Sequence, residues 1–324
     1  MLATLRTAGL LAAGEVADCR PLRGGVSSDI VLVTTAAGRK FVVKRALARL
    51  KVKDPWFADT ARNRAEQAWF DYVAPLVPGV VPKILHRGPD WFAMEFLGGD
   101  LVNWKDELLA GRADLPTARA AGSVLGQVHR ASWNEARARA EFRTGKSFYD
   151  LRIEPYLVTT ALRQPVLRPW LEAEATRLAS TECALVHGDF SPKNLLVSPT
   201  RLVVLDAEVA WFGDPTFDLA FLLTHLHLKA LVAGPKAENF LALVPAFWAS
   251  YRDALGSVAA GDLEARTVRL LLMLMLARVH GKSPVEYLSP PQQGRVTDFV
   301  TAQLPRQPES LAAVTAAWKD SLPL

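Results

Sequence analysis

Apolar residues follow two different rhythms along the chain. Up to about residue 100 they come in short β-branched runs. Positions 29–35 and 39–44 are two such runs around Ala36-Ala37-Gly38, which predicts a hairpin. Trp69, Tyr72 and Val73 recur at helical spacing, which predicts a helix over 59–74. Two further strands are predicted over 80–86 and 91–96, turned by Gly88-Pro89-Asp90. Gly98-Gly99-Asp100 then breaks the pattern and predicts a boundary between a strand-rich unit, 1–97, and a mostly helical unit, 98–324. Beyond it, helices are expected over 115–130, where Pro116 suits a first turn, and over 165–179, 216–231, 240–255 and 263–280. One stretch interrupts them: 184–186, 195–197 and 202–205 are short apolar runs separated by polar segments. Polar loops between buried strands are a common seat of chemistry.

The length of 324 residues allows two compact units at ~150 residues each. Hydrophobic residues at 50% and charged residues at 22% exclude general disorder. The net charge of +5 is spread along the chain without a basic block. Such a balance permits a phosphorylated ligand and argues against nucleic acid as a partner. Two cysteines, Cys19 and Cys183, do not make a disulfide framework and fit a reducing compartment. The apolar run 10–13 is too short for a secretory core, and Asp18 before Cys19 disfavours a lipoprotein signal. No charge-free apolar run reaches the ~18 residues of a membrane span. A cytoplasmic protein without a membrane partner is expected.

The densest polar group is His187-Gly188-Asp189-Phe190-Ser191-Pro192-Lys193-Asn194. Asp206 follows at the end of the 202–205 run, and Glu208 stands two residues on. An Asp, a nearby Asn and a second Asp beyond a hairpin-like turn suit phosphoryl transfer. The first Asp orients a hydroxyl proton, and the Asn and second Asp supply the oxygen ligands that Mg²⁺ prefers. Upstream, Gly24-Gly25-Val26-Ser27-Ser28 opens the first hairpin, where glycine amides and serine hydroxyls suit phosphates. No Walker lysine follows it. Lys44 closes an apolar strand, a position from which it would pair with α- and β-phosphates, and Glu66 on the next helix would orient it. Lys193 has no role in this spacing, and a cation there would neutralise the transferring phosphate.

This set, together with Met94-Glu95-Phe96-Leu97 and the segment from Gly213-Asp214-Pro215 to Asp218, resembles the aminoglycoside phosphotransferase family, which includes choline-type and methylthioribose kinases. The resemblance runs from about Leu22 to Leu222. It implies an α+β, bilobal protein-kinase-like fold with a small antiparallel-sheet lobe, a larger helical lobe and ATP between them. It further implies Asp189 as catalytic base, Asn194 and Asp206 as Mg²⁺ ligands, and Lys44 on the phosphates with Glu66 as its partner. Ser27 would lie over the phosphates and Met94 behind the adenine, whose edge would meet the Glu95 carbonyl and the Leu97 N–H. Asp218 would brace the catalytic loop. Asp206 is followed by Ala207 and Glu208 where a protein kinase has Phe-Gly, and eleven residues separate Asp206 from Asp218. That spacing has no room for an activation loop, so a small-molecule kinase is expected over a protein kinase. Glu208 would then be an outer or water-mediated metal group.

The acceptor is less legible. Candidate lining is Phe148 to Tyr156, Trp211, and His280 to Tyr287. A polycationic acceptor needs carboxylates, yet 302–324 carries only Glu309 and Asp320, and the chain is basic overall. A neutral or partly anionic hydroxyl compound such as a sugar, nucleoside or alcohol is therefore expected. The alternatives are a choline, ethanolamine or aminoglycoside-type acceptor, or a nucleotide-binding regulatory module without turnover. A monomer or homodimer fits either case. His225 and His227, at i,i+2, point to different sides of a helix and are not expected to share a metal.

Overall fold

The computed structural model describes residues 1–22, 27–49, 59–60, 62–258 and 261–323. Five strands, β1 (Ala17–Pro21), β2 (Ser28–Thr35), β3 (Lys40–Ala46), β4 (Ile84–Arg87) and β5 (Trp91–Glu95), form an antiparallel sheet in the order β1-β2-β3-β5-β4. The predicted hairpin is β2–β3, with Val31 opposite Val43 and Gly38 turning at φ +81°. Side chains alternate across a strand. Phe41 and Val43 therefore face one side with Trp91 and Ala93, and there they meet Leu5, Leu10 and Leu11 of the N-terminal segment. Val42 faces the other side with Phe92 and Met94, and meets Trp69, Phe70 and Val73 of the Arg62–Val73 helix. Lys44 shares that second face, which carries its ammonium toward the helix.

The chain leaves the sheet after Glu95 and enters a mainly helical part. Its long helices are Leu115–Ser132, Arg168–Ser180, Thr216–Val232, Leu243–Leu255 and Leu263–His280. Short strands β6 (Val102–Asn103), β7 (Ala184–Val186), β8 (Leu195–Val197), β9 (Leu202–Val204) and β10 (Trp211–Gly213) form two small ladders, β6-β8-β9 and β7-β10. The Leu115–Ser132 and Leu243–Leu255 helices approach closely at two glycines. A Cβ on Gly122 would strike the Phe247 carbonyl, and one on Gly126 would stand 2.5 Å from the Tyr251 carbonyl oxygen. Among the described residues no helix is long and apolar enough to cross a membrane.

Several elements depart from the expected ones. The 80–86 strand begins only at Ile84, because Pro82 cannot donate to a ladder; the Val80 carbonyl instead accepts from Val204 N–H at 2.7 Å. The 165–179 helix opens with a 3₁₀ turn at Pro165–Leu167, and the 240–255 helix divides into Ala237–Leu241 and Leu243–Leu255. The pattern did not reveal the Leu2–Thr7 helix, edge strand β1, or the C-terminal helices Pro290–Gln303 and Leu311–Ser321. Strand β1 carries no fully buried residue, so no apolar alternation marks it. Pro290–Gln303 is announced by its start instead, a Ser289/Gln292 capping box that encloses Pro290 and Pro291.

Candidate functional site

Strand β7 delivers the chain to His187, and Gly188 turns it at φ +77° with the Val209 carbonyl 2.5 Å from where a Cβ would stand. Only glycine fits that turn without strain. Asp218, at the start of the Thr216–Val232 helix, accepts from the His187 N–H at 2.7 Å and the Gly188 N–H at 2.9 Å. His129 Nε2 lies 3.4 Å from the same carboxylate, and its Nδ1 is 3.1 Å from the Tyr251 hydroxyl. Asp218 thus braces the loop from below, and His129 packs behind it. His187 Nδ1 accepts from the Asp189 N–H at 3.1 Å, so Nε2 carries the proton and donates to the Leu205 carbonyl at 3.0 Å. Burial pushes this imidazole below its usual range, which keeps it neutral.

The β8–β9 register brings the next groups together. Leu195 pairs with Val204, and the Leu205 N–H donates to the Asn194 carbonyl at 2.9 Å, so Asp206 emerges beside Asn194. Asn194 Nδ2 donates to the Asp189 carbonyl at 2.9 Å, and its Oδ1 makes no hydrogen bond among the described residues. Asp206 is held at φ +65°, a backbone conformation costly for a non-glycine residue. Its Oδ1 meets Lys44 Nζ at 2.5 Å, while the same ammonium lies 2.7 and 2.8 Å from the Glu66 oxygens. Burial works against the charge on Lys44, but Asp206, Glu66 and Glu208 outweigh it and hold the ammonium protonated.

Asp189 is bordered by two cations. Arg152 Nη2 stands 3.2 Å from Oδ2 and Lys193 Nζ 2.9 Å from the same atom. Burial pushes the Asp189 carboxyl up, yet Lys193 and Arg152 prevail and keep it below the usual carboxylate range, hence ionised. Arg152 comes from Tyr149–Val158, a stretch of π-helical turns containing Pro155. Such turns are rare and often sit at functional sites. Asn103 Nδ2 pins the Lys193 carbonyl at 2.6 Å from the other side.

The remaining expected residues divide. Gly24 and Gly25 lie outside the described residues. Ser28 Oγ is 3.4 Å from Glu208 Oε2. Ser27 is buried, and its carbonyl accepts from Arg62 Nη2 at 2.5 Å. Glu208, expected as an outer metal group, is paired with Arg62 Nε at 3.1 Å. Met94 is buried against Val42 in the core. Glu95 extends its carboxylate to the Lys83 N–H at 3.0 Å, and the Leu97 N–H has no partner among the described residues. Trp211 stacks on Phe148 at 4.2 Å and is buried, which makes it a support and not an open wall. His225 and His227 do point apart; His227 donates from Nδ1 to the Leu223 carbonyl at 2.8 Å and meets Thr315 at 3.1 Å.

Sequence reasoning missed Arg62 and Arg152. Neither belongs to a motif, but Arg152 falls inside the 148–156 stretch considered as acceptor lining, where it is the one cation beside Asp150 and Glu154. The two stretches considered for lining do meet. Lys282 Nζ bonds Glu154 at 2.8 Å, the Lys282 N–H donates to the Pro155 carbonyl at 2.9 Å, and Arg278 Nη1 bonds the Tyr156 hydroxyl at 3.1 Å.

Comparison with known proteins adds a lineage to this geometry. The sequence profile of the "Phosphotransferase enzyme family" matches residues 18–251. The methylthioribose kinase of Exiguobacterium sibiricum is 27% identical over 255 residues, covering 70% of this chain and 64% of that one. The methylthioribose kinase of Pectobacterium atrosepticum is 24% identical over 291 residues, covering 78% and 71%. The chain thus spans roughly two thirds of the curated relatives it matches. The crystal structure of a macrolide 2′-phosphotransferase from Brachybacterium faecium superposes with a TM-score of 0.54 at 20% identity, covering 98% of each chain. At that identity the likeness speaks for the protein-kinase-like fold alone.

Proposed function

We propose that this chain, which belongs to the phosphotransferase enzyme family, moves the γ-phosphate of ATP to a hydroxyl group of a small molecule. The observation that carries the reading is a single bonded cluster in which Lys44, held by Glu66, reaches Asp206, while Asn194 ties Asp206's neighbour Leu205 to the Asp189 loop. A structural ion pair would explain Lys44 and Glu66. It would not explain why an ionised, buried Asp189 is kept beside them with two cations on one of its oxygens.

Asp189 accepts the proton of the acceptor hydroxyl as that oxygen bonds to the γ-phosphorus. The bond from this phosphorus to the bridging oxygen breaks, and ADP departs with the electron pair. Lys44 places the α- and β-phosphates, and Glu66 fixes Lys44. Met94 backs the adenine, whose edge meets the Glu95 carbonyl and the Leu97 N–H. Lys193 leans from Asp189 toward the transferring phosphate and offsets its charge. Arg152 holds Asp189 in place through the same oxygen.

The Asn194 Oδ1 and the Asp206 carboxylate fit Mg²⁺, a hard cation that keeps several waters and takes few protein oxygens. The chemistry such an ion would supply there is neutralisation of the charge that develops on the transferring phosphate. Glu208, paired with Arg62 and two residues from Asp206, would act as an outer group of the same site. The reaction belongs in the cytoplasm, where Cys19 and Cys183 stay as the free thiols they are here.

ADP release with Mg·ATP across sugars, nucleosides, methylthioribose, choline, homoserine and aminoglycosides tests the reading. A compound should raise release in the wild type, and Asp189→Asn should lower that turnover by about 10²–10⁴-fold while Mg·ATP still raises the melting temperature. Equal turnover by Asp189→Asn refutes the assignment.

A further inference from the structure

A wall of positive charge stands next to Asp189. Tyr156 follows Arg152 by one turn, and its hydroxyl accepts from Arg278 Nη1 at 3.1 Å. Phe221 packs edge-on to Tyr156 at 5.6 Å and to His225 at 5.3 Å, and Lys229 continues that face of the helix one turn on. Four ammonium or guanidinium groups, on Lys229, Arg278, Lys193 and Lys105, act together on the His225 ring. They come from four separate elements, so the fold has gathered them.

Their partners are too few. Lys105 pairs with Glu286 at 2.5 Å and Lys193 with Asp189. Lys229 is 1% exposed and has no hydrogen bond or ion pair among the described residues, only the face of Tyr287 at 4.7 Å. Arg278 reaches Ser283 and Tyr156 but no carboxylate. Three buried polar atoms in the same wall lack partners among the described residues: His225 Nδ1, Arg278 Nε and the Tyr287 hydroxyl. A buried lysine without a counter-ion is costly, and buried polar atoms are ordinarily satisfied. The described residues of this wall therefore lack an anion with several acceptor oxygens.

Resting on the kinase reading above, we propose that the phosphate acceptor is an anionic hydroxyl compound, bearing a carboxylate or phosphate that binds Lys229 and Arg278 while its hydroxyl faces Asp189. A cationic acceptor is disfavoured by the same wall, because like charges facing across a site repel. The C-terminal segment, whose scarcity of carboxylates first argued against a cationic acceptor, lies elsewhere: its Thr315 meets His227, on the opposite side of the Thr216–Val232 helix.

The test uses matched probes that differ in their anionic group: gluconate against glucitol, glycerate against glycerol, and ribose 5-phosphate against ribose. Each is assayed for ADP release with Mg·ATP and for the rise in melting temperature it gives with Mg·ADP already bound. At least one anionic member is expected to exceed its neutral partner about tenfold in kcat/KM, or to stabilise the protein where the partner does not. The carboxylate and phosphate pairs separate the two sources. Lys229→Met is expected to erase the preference, and Arg278→Gln to weaken it. No preference in the wild type, or one that survives both substitutions, overturns the proposal and leaves the kinase reading standing. Failure of Mg·ADP to stabilise the protein, with no ADP release from any probe, overturns the kinase reading itself.

Discussion

Lys229→Met offers a quantitative check on the unpaired cation. Burial, with Lys105 and Arg278 adding repulsion and Glu286 opposing it, pushes Lys229 from its ordinary 10.5 down to about 7. At ~1.4 kcal/mol per pH unit, that fall corresponds to roughly 5 kcal/mol of folding free energy spent on keeping the ammonium inside. Between about pH 7 and 10.5 the unfolded chain binds this proton and the folded chain releases it, so wild-type stability rises with pH across that window. Below about 7 both states hold the proton and the penalty is complete. Methionine keeps the length of the side chain and removes the charge, at the loss of a cation–π contact of roughly 1–2 kcal/mol with Tyr287. The variant should therefore be more stable than the wild type by about 3 kcal/mol at pH 6. The gain should shrink to within about 1 kcal/mol of zero near pH 10, because the remaining titrating groups are common to both proteins and cancel in the difference. Urea unfolding of both proteins from pH 6 to 10, in buffers without carboxylate or phosphate, measures this directly. A variant less stable at pH 6, or a difference that does not change with pH, would refute the claim that Lys229 is buried without a counter-ion.

Other predictions address the cleft and the core. Lys44→Met leaves Glu66 and Asp206 without their shared cation, and should cost about 3–5 kcal/mol in denaturant unfolding as well as raising KM for ATP. Lys193→Ala should lower kcat more than it raises KM for the acceptor, because its charge is needed as the phosphate transfers; unchanged turnover would remove it from the mechanism. Gly126→Ala should lower stability by about 1–3 kcal/mol, because the Tyr251 carbonyl occupies the space of its Cβ, and a neutral result by thermal unfolding would contradict the tight helix crossing.

The parts of the site that a sequence discloses are those held by local geometry. The β8–β9 hairpin fixes how far Asp206 lies from Asn194, so their spacing along the chain already carries their meeting in space. The alternation of β3 does the same for Lys44, which must face the helix bearing Glu66 if Val42 does. Gly188 and Asp218 follow from one demand, that a loop turning through positive φ needs its freed amides bound. Arg152 and Arg62 escape this logic. Each reaches its partner across the fold, from Tyr149–Val158 to Asp189 and from Arg62–Val73 to Glu208, and nothing in their neighbours along the chain marks them. Ser28 and Glu208 were legible as polar groups near phosphates but not as each other's partners, because that contact spans 180 positions.

The cation wall is the extreme case. Lys105, Lys193, Lys229 and Arg278 are ordinary surface types when read one at a time, although Lys229 and Arg278 lie in strongly apolar helices. Charge counted along the sequence therefore spoke only through the overall basic balance and the scarcity of carboxylates near the C-terminus. The first is too diffuse to assign a ligand, and the second concerns a helix on the wrong side of His227. What gives the wall meaning is burial combined with the lack of partners, and both are properties of the folded chain. A lysine 1% exposed cannot be a solubilising charge, and a cation–π contact offsets only part of its desolvation. The proposed specificity is thus written in groups left unsatisfied among the described residues, while the proposed chemistry is written in groups that neighbouring residues already hold in place.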